Sequence, residues 1–303
     1  MGNHIVVGAG PIGTAVAEQL LTQGHSVTVV TRSGSGPSGA HCVAMDATDA
    51  AALSALAEGA DAIYNCANPP YNAWAVEWPP LAASLLAAAE ATGAVLVTAS
   101  NLYGYGEVDG VITPDLPLNA SYSKAQVRVQ MWQDALAAHQ AGRAKIVEVR
   151  GSDYVGAGAQ SHVDRVLPAL LAGKKVRVLG DPDAAHSWTY TGDMAATLVM
   201  VGQRPETWGQ AWFAPCAADR TQREVMSDAA NVAGLATPRV VALPAWQLRL
   251  AGLFDPVVRE LPEVAYQTER PFTYDDSVTR RELGLESTPW DEVLSRSLAA
   301  AGS

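Results

Sequence analysis

The first half of the chain alternates between short β-branched runs and longer segments in which apolar residues recur every three or four positions. The short runs predict strands and the longer segments predict helices, as where Ile12, Val16 and Leu20 share one face. The predicted strands cover residues 5–7, 26–31, 41–45, 62–65, 95–98 and 146–149. Such alternation indicates an α/β fold with a doubly wound parallel sheet.

Proline, serine and glycine mark the ends of the predicted helices. One helix is expected to begin at Pro80 and end at Gly93, and another to begin at Ser121 or Ser123 and end at Gly142. In the second half the alternation weakens, and prolines and tryptophans become frequent. That half is therefore expected to have a less regular architecture.

The composition narrows the class of protein. With 303 residues, 49% hydrophobic and 17% charged, the chain is long enough for one large or two smaller globular domains. A net charge of −11 argues against nucleic acid or an anionic membrane as the main partner. Neither a secretory signal nor a spanning segment is visible, so we expect a cytoplasmic location. Without a CxxC or HExxH motif, we expect no bound metal.

A glycine-rich turn follows the first predicted strand and precedes a helix. Its three glycines suit a tight turn, close approach of the backbone to a pyrophosphate, and close packing of the helix on the strand. The first N–H groups of the helix would then face the phosphates. In this order of elements, the pattern predicts a dinucleotide site formed by Gly8, Gly10, Pro11, Ile12 and Gly13.

The residues after the second strand bear on which dinucleotide binds. NAD-binding proteins place an acidic residue in this region, whereas this chain has Thr31 and Arg32. An arginine can bind a ribose 2′-phosphate through charge-assisted hydrogen bonds, so we favour NADP over NAD. After the third strand, Asp46 and Ala47 are expected beside the adenine, and the Thr-Asp pair that follows is expected to cap the next helix.

Further motifs follow in a fixed order along the chain. They are Asn65-Cys66-Ala67, Ser100-Asn101-Leu102-Tyr103-Gly104-Tyr105-Gly106, Ser123-Lys124, residues 150–156 and residues 186–193. Their order and spacing resemble those of the extended short-chain dehydrogenase/reductases, the NAD-dependent epimerase/dehydratase family, although Val7 replaces the first glycine of that family's turn. The resemblance implies a Rossmann domain with a smaller C-terminal substrate domain, and a helix-bundle homodimer as a candidate assembly. It also implies cofactor contacts from Cys66, Ala67 and Lys124.

The resemblance and the weakening alternation together suggest how the chain is divided. We expect an NAD(P)-binding Rossmann domain over residues 1–160, rejoined by about residues 186–215. Residues 161–303 are expected to form mainly a substrate-binding region.

The resemblance implies a catalytic Tyr-x-x-x-Lys pair, which this chain lacks. Lys124 matches the lysine, but Ala120 stands four residues earlier, where the tyrosine is expected. In the family the ammonium lowers the pKa of the phenol on the same helix face, and the phenol exchanges a proton with the substrate. Tyr122 is two residues from Lys124, so it can serve only if the helix starts late or is distorted, and a packing role is the alternative.

Other side chains are candidates for the chemical step. With Tyr105-Gly106 aligned to the family, Asn101 takes the Ser/Thr position, and its amide can hydrogen-bond a carbonyl oxygen. Tyr103 falls where nucleotide-sugar dehydratases carry a glutamate, so it is the first candidate proton donor, with an aromatic wall as the alternative. Leu102 takes the aspartate position of those enzymes, so their water elimination is not expected.

His186 bears on the substrate. It stands where the resemblance places an arginine that grips a nucleotide diphosphate, and a neutral imidazole replaces that forked cation poorly. We therefore expect a small substrate without this group. His162, near Asp164, is expected at a solvated helix start. Aromatic residues that can line a pocket or pack in the core are Tyr71, Trp74, Trp78, Tyr154, Trp188 and Trp246.

Three functions are compatible with these residues. The first is an NADP-dependent oxidoreductase acting on a small carbonyl or alcohol, with Lys124 on the nicotinamide ribose, Asn101 orienting the substrate oxygen, and Tyr103 or water supplying the proton. The second is an epimerase or dehydratase that retains its cofactor. The third is an NAD(P)-sensing protein without turnover, which the missing tyrosine allows.

Overall fold

A computed structural model describes residues 1–159 and 161–302. Within them the strands are β1 (Asn3–Val7), β2 (Ser26–Thr31), β3 (His41–Ala44), β4 (Ala62–Asn65), β5 (Val95–Asn101), β6 (Lys145–Gly151), β7 (Asp153–Val155), β8 (Val176–Val178), β9 (Ser187–Tyr190), β10 (Ala211–Phe213), β11 (Cys216–Asp219) and β12 (Val240–Ala242). The α-helices are α1 (Pro11–Thr22), α2 (Ala50–Leu56), α3 (Trp74–Thr92), α4 (Ser123–Gln140), α5 (Leu167–Leu171), α6 (Thr191–Gly202), α7 (Gln222–Val232), α8 (Ala245–Ala251), α9 (Pro256–Glu260), α10 (Tyr266–Glu269), α11 (Ser277–Leu283) and α12 (Trp290–Ala301).

The chain divides into two compact units, each of which is discontinuous in sequence. Unit 1 comprises Met1–Gly104, Ser123–Arg150 and Gly192–Ala214, and unit 2 comprises Tyr105–Tyr122, Gly151–Thr191 and Pro215–Ser303. The chain therefore leaves unit 1 three times, after residues 104, 150 and 214, and it returns to unit 1 at Ser123 and at Gly192. Gln160, at the predicted domain boundary, and Ser303, at the predicted end, lie outside the described residues.

Unit 1 is built on a seven-stranded sheet with the order β10-β6-β5-β4-β1-β2-β3. The pairs β1–β2, β2–β3, β1–β4, β4–β5 and β6–β10 run parallel. The chain winds outward from β1 first to one side and then to the other, so β1 lies inside the sheet between β4 and β2, and its residues 4–7 are buried. This arrangement confirms the predicted Rossmann-type, doubly wound sheet.

Helix α3 begins earlier than the sequence pattern predicts. It starts at Trp74 rather than Pro80, so Pro79 and Pro80 lie inside it. Each proline removes one backbone hydrogen bond from a helix. Trp74 and Trp78, one turn apart, are 4% and 0% exposed, and burying both rings against the core offsets that loss.

Unit 2 has a smaller sheet with its own core. Strands β11, β9 and β7 form a three-stranded sheet, and β12 pairs in parallel with β8. A buried cluster that includes Leu167, Trp188, Val225 and Leu294 joins β9 to α5, α7 and α12. This unit corresponds to the smaller C-terminal domain that the sequence predicts.

Candidate functional site

The glycine turn between β1 and α1 packs closely on the chain that follows β4. Gly8 has a φ of +99°, and a Cβ there would lie 2.7 Å from backbone atoms of Cys66 and Ala67. A Cβ on Gly13 would lie 2.0 Å from the carbonyl oxygen of Gly8. Neither position accepts a side chain without rearrangement, so both glycines are needed where strand, turn and helix meet.

The N-terminus of α1 is open. Gly10 is the N-cap, Pro11 is the first helical residue, and no described side chain caps this terminus. A Cβ on Gly10 would meet no atom within 4 Å. The N–H groups of Ile12 and Gly13 are therefore placed to bind an anionic group, which the helix dipole also favours.

The ends of β2 and β3 form the adjoining part of the site. Thr31 ends β2, and the exposed Arg32 follows it. Asp46 accepts hydrogen bonds from N and Oγ1 of Thr48, at 3.0 and 2.9 Å. These bonds hold the pKa of Asp46 below its ordinary value, and the charge of Arg32 acts in the same direction. Asp49 caps α2, as the sequence predicts.

Cys66 follows β4 at the point where the strand order reverses. Its N–H donates to the carbonyl oxygen of Val7 at 2.9 Å, which extends the pairing of β1 and β4 by one bond. Burial raises the pKa of the Cys66 thiol to about 12, so the thiol is neutral near pH 7. A neutral thiol is a poor nucleophile, so Cys66 forms part of the wall beneath the glycine turn rather than a reactive group.

Lys124 lies in the first turn of α4, one residue after its start. Its side chain is buried, and Nζ lies 4.8 Å from the centroid of the Tyr71 ring. An ammonium over an aromatic face is stabilised by the ring quadrupole. Ala120 precedes the helix, so the structure has no tyrosine one turn before Lys124.

Asn101 and Tyr103 lie at the end of β5, in the same unit as Lys124. Oδ1 of Asn101 accepts a hydrogen bond from N of Tyr103 at 3.1 Å, which fixes the amide and starts a 3-10 turn. The amide nitrogen of Asn101 is then the side-chain group that can donate to a ligand. The half-buried ring of Tyr103 packs against Trp74, with centroids 5.8 Å apart.

Tyr122 belongs to unit 2 and precedes α4. Its hydroxyl donates to Oε1 of Glu107 at 2.7 Å, and its ring stacks on Tyr266 at 5.7 Å. The hydrogen bond to Glu107 raises the pKa of Tyr122. An activated phenol needs a lowered pKa, so these contacts favour the packing role over proton transfer.

His186 is buried in unit 2 and 3% exposed. Its Nδ1 lies 3.0 Å from the carbonyl oxygen of Gln267, and its Nε2 lies 3.1 Å from Oδ2 of Asp153. The Gln267 carbonyl and the Asp153 carboxylate lie against opposite nitrogens of the ring, so together they fix the orientation of the imidazole.

His162 does not lie at a solvated helix start, contrary to the prediction. Its Nε2 is 3.6 Å from the same Asp153 oxygen, and its side chain is 22% exposed. Burial alone would raise the pKa of Asp153, but His162, His186 and Arg165 lower it to about 2. Sequence reasoning missed Asp153 as a partner, although it lies in the motif of residues 150–156 that was singled out.

The aromatic side chains pack mainly in the cores. Trp78 and Trp188 are 0% and 1% exposed, whereas Trp246 is 63% exposed. Arg128, one turn after the candidate lysine, lies 4.7 and 4.1 Å from the ring centroids of Trp74 and Trp78. Sequence reasoning missed Arg128, because the tryptophans that it contacts lie on α3.

None of the helices in residues 1–159 and 161–302 combines the length and hydropathy needed to cross a bilayer. Over the same residues, no group of three or more His, Cys, Asp or Glu side chains is arranged to hold a metal ion.

The fold is shared with solved structures of low sequence identity. UDP-glucose 4-epimerase from Thermotoga maritima, solved with UDP-glucose, is 15% identical, with 98% of each chain covered and a TM-score of 0.80. UDP-glucuronic acid 4-epimerase from Bacillus cereus, solved with NAD, is 16% identical, with 99% of this chain and 98% of that chain covered and a TM-score of 0.80. A double mutant of the dTDP-glucose 4,6-dehydratase DesIV from Streptomyces venezuelae, with NAD bound, is 19% identical, with 100% and 97% covered and a TM-score of 0.78.

A family match extends over more than half of the sequence. No curated protein sequence matches the chain. Residues 4–212 match the family described as the NAD dependent epimerase/dehydratase family. The matched range includes the glycine turn, Lys124 and His186, which confirms the predicted resemblance. The chain therefore belongs to the NAD-dependent epimerase/dehydratase family.

Proposed function

We propose that this protein is an NADP-dependent oxidoreductase that acts on a small carbonyl compound or alcohol. The observation that carries the proposal is the open N-terminus of α1, held by Gly8 and Gly13 against the end of β4. Such a terminus is suited to the pyrophosphate of a dinucleotide, with Gly10, Ile12 and Gly13 around it. When bound, the nicotinamide ring accepts or delivers the hydride.

The preference for NADP rests on Arg32. Its guanidinium is exposed directly after β2, and Thr31 stands where an acidic residue would repel a 2′-phosphate. A guanidinium can bind that phosphate through two parallel hydrogen bonds. Two of the solved relatives carry NAD, so a preference for NADP would be a property of this chain rather than of those proteins.

The proposed chemical step uses residues of unit 1. Lys124 holds the nicotinamide ribose, and the amide nitrogen of Asn101 orients the substrate oxygen. Tyr103, beside Asn101, or a water molecule supplies the proton. Tyr122 is the weaker candidate, because its hydroxyl is already held by Glu107.

The proposed substrate carries no nucleotide diphosphate. His186 is buried and lies against the Asp153 carboxylate, so this position offers no exposed cation to a diphosphate. Because the pKa of Asp153 is about 2, its carboxylate is ionised near pH 7 and disfavours an anionic group nearby. A small neutral carbonyl compound or alcohol needs no cation at this position and is not repelled by the Asp153 carboxylate.

An epimerase or dehydratase that retains its cofactor is the second candidate. It is supported by the family match and by the solved relatives, one of which contains UDP-glucose. Leu102 and His186, which depart from the pattern of nucleotide-sugar enzymes, weigh against it.

The surface between α3 and α4 is the proposed site of self-association. A groove of about 840 Å³ in unit 1 is lined by apolar residues of α3 and α4, including Ala83, Leu86, Val127 and Met131, together with charged residues such as Glu90, Asp134 and Arg143. We place a homodimer contact on this surface. Three free cysteines accord with a reducing, cytoplasmic location.

Fluorescence titration with NADPH and NADH tests the cofactor. We expect NADPH to bind at least tenfold more tightly, and Arg32→Ala to abolish that difference by weakening NADPH binding alone. Arg239→Ala, an exposed arginine of unit 2, is the control. Equal affinities in the unaltered protein would remove the argument for NADP.

Turnover assays separate the candidate functions. Oxidation of NADPH by small aldehydes, ketones or imines supports the oxidoreductase. Conversion of UDP-glucose with tightly retained cofactor and no net oxidation of added NADPH supports the second candidate. Tight dinucleotide binding with neither activity supports a sensor.

A further inference from the structure

A row of three aromatic rings runs from the turn after β4 to the end of β5. Tyr71 begins the 3-10 turn that leads into α3, and its ring contacts that of Trp74 edge to face, with centroids 5.3 Å apart. The ring of Trp74 packs in turn on that of Tyr103. We call Tyr71, Trp74 and Tyr103 the aromatic row. All three residues belong to unit 1, as do Lys124 and Asn101.

Two cations of α4 lie against this row. Lys124 and Arg128 are one turn apart, so their side chains share a helix face. Nζ of Lys124 lies over the Tyr71 ring at 4.8 Å, and Cζ of Arg128 lies over the Trp74 ring at 4.7 Å. The two cations are 3% and 8% exposed. A buried cation is costly unless its surroundings stabilise it, and the face of an aromatic ring does so.

Hydrogen bonds fix the segment that carries Tyr71. Nε1 of Trp74 donates to the carbonyl oxygen of Pro69 at 3.1 Å, and N of Ala73 donates to that of Pro70 at 2.8 Å. The chain is therefore held on both sides of Tyr71. The hydroxyl oxygen of Tyr71 is buried, so this phenol is not placed to give a proton to a substrate. What Tyr71 offers to Lys124 is the face of its ring.

The position of Lys124 in α4 shows why such support is needed. In a Tyr-x-x-x-Lys pair the tyrosine lies one turn before the lysine on the same helix, whereas α4 begins at Ser123 and Ala120 lies before it. Lys124 therefore has no preceding turn of its own helix to hold the ammonium. Tyr71, from another segment of the same unit, brings an aromatic ring to the ammonium instead.

We propose that Tyr71 is a positioning residue for Lys124, and that its ring holds the ammonium where it contacts the nicotinamide ribose. The inference rests on the proposed function, in which Lys124 has that role. A ring face stabilises a cation without an oxygen acceptor, so it does not compete with the ribose hydroxyls for the N–H groups of the ammonium. Because the aromatic row ends at Tyr103, the group that binds the ribose and the first candidate proton donor share one support.

Fluorescence titration of the full chain with NADPH tests the proposal. We expect Tyr71→Phe, which keeps the ring, to bind NADPH like the unaltered protein, and Tyr71→Leu to bind it about tenfold more weakly, which corresponds to about 1.4 kcal/mol. Trp208→Leu is the control, because it removes a ring of unit 1 that lies 5.6 Å from Nζ of Lys145, and it should leave the affinity unchanged. Circular dichroism checks that each variant is folded. If NADH binds the unaltered protein more tightly, it replaces NADPH throughout.

A second background shows whether Tyr71 acts through Lys124. Lys124→Met should itself weaken NADPH binding. In that background Tyr71→Leu and Tyr71→Phe should bind NADPH equally, because the cation that the ring stabilises is gone. A tenfold difference that persists in Lys124→Met would make the role of Tyr71 merely structural and would overturn the inference.

Fluorinated rings at position 71 separate charge from shape. Phenylalanine analogues with one, two and three fluorines keep nearly the same size, but each fluorine weakens the attraction of the ring face for a cation. The affinity for NADPH should therefore fall stepwise along the series. These variants keep an aromatic ring in place, so they also test the inference if Tyr71→Leu does not fold.

A negative result can be assigned to Tyr71 or to Lys124. Unchanged affinity in Tyr71→Leu or across the fluorinated series, with weakened binding in Lys124→Met, overturns the role of Tyr71 and leaves the proposed function standing. Full affinity in Lys124→Met removes Lys124 from the cofactor site, and it overturns both the inference and that part of the proposed function. Absence of binding to either dinucleotide overturns both as well.

Discussion

Nε2 of His186 lies 3.1 Å from Oδ2 of Asp153 in the interior of unit 2. The two side chains are 3% and 18% exposed, and they come from the end of the loop before β9 and from the first residue of β7. Two sequence motifs that lie far apart along the chain thus meet at one carboxylate. The pKa of Asp153 is lowered in the folded state, so its ionised carboxylate stabilises the fold near pH 7.

Asp153→Asn tests this pair. We expect the free energy of unfolding to fall by about 2 kcal/mol in urea denaturation near pH 7, because the lowered pKa of Asp153 stabilises the folded state by that amount. Asp183→Asn is the control, because Asp183 pairs with Arg223 at the surface with a side chain that is 60% exposed, and exposed pairs contribute about 1 kcal/mol or less. Equal losses in the two variants would contradict the assignment.

The lowered pKa of Asp153 also makes the stability of the fold depend on pH in strong acid. Its folded pKa of about 2 lies below the ordinary 3.8, so its contribution is complete above pH 3.8 and is lost as the pH falls toward 2. Urea midpoints should fall over that window in the unaltered protein. In Asp153→Asn the urea midpoint should change less over the same range of pH.

His4 predicts a loss of stability in milder acid. It is 3% exposed in β1, and neither ring nitrogen has a hydrogen-bond partner among the described residues. Burial, reinforced by His25, lowers its pKa from 6.5 to about 4. The folded state resists protonation, so stability is complete above pH 6.5 and falls by up to about 3 kcal/mol as the pH approaches 4.

The matched variants for this effect are His4→Phe and His41→Phe, the latter at an exposed position in β3. Unfolding of His4→Phe should depend less on pH between 6.5 and 4, whereas His41→Phe should behave like the unaltered protein. If the stability of His4→Phe still fell with pH as in the unaltered protein, the effect would belong to another group.

Two glycines of the same turn should respond differently to alanine. Gly13→Ala drives a Cβ to 2.0 Å from the Gly8 oxygen, so we expect lost stability of at least about 2 kcal/mol along with lost dinucleotide binding. Gly10→Ala meets no atom within 4 Å, so the apoprotein should keep its stability while NADPH binding weakens. Thermal melts without cofactor, followed by titration, distinguish the two. Full NADPH affinity in Gly10→Ala would place the phosphates elsewhere.

The two tyrosine candidates can be ranked by activity. Tyr103→Phe should lower kcat by about 10²–10⁴ if its phenol supplies the proton. Tyr122→Phe should leave kcat nearly unchanged, because Glu107 already holds that hydroxyl. Unchanged kcat in Tyr103→Phe, with intact NADPH binding, would assign the proton to water.

The groove between α3 and α4 predicts a dimer that a charge can break. Leu86→Glu or Met131→Glu should convert the protein to a monomer in sedimentation velocity, since a buried carboxylate in an apolar contact is costly. Val111→Glu, at an exposed position in unit 2, should leave the mass unchanged. A protein that is monomeric at the outset would refute the contact.

The strands of unit 1 could be predicted because each is a local pattern. In strand 26–31 the valines are buried and the serine and threonines are more exposed, so the β-branched run in the sequence already indicates a strand. The start of α3 could not be predicted in this way. Pro80 is a strong local signal for a helix start, and only the packing of Trp74 and Trp78 against distant residues overrides it.

In the candidate site, too, local features could be predicted from the sequence, whereas contacts between distant residues could not. The glycine turn is a local feature, so six consecutive residues are sufficient to predict its geometry. Asp153, His162 and His186 are brought together by a fold that no short motif encodes, which is why the sequence did not reveal them as partners. Arg128 was hidden for the same reason, because its tryptophan partners lie on another helix.

The last strand of the large sheet has a consequence for synthesis. β10 pairs with β6, yet the segment Gly151–Thr191 of the other unit lies between them in the chain. During translation, the edge of β6 that pairs with β10 therefore stays unpaired until β10 has been synthesised. An unpaired edge invites pairing with other chains, so this interval is when a nascent polypeptide most needs a chaperone.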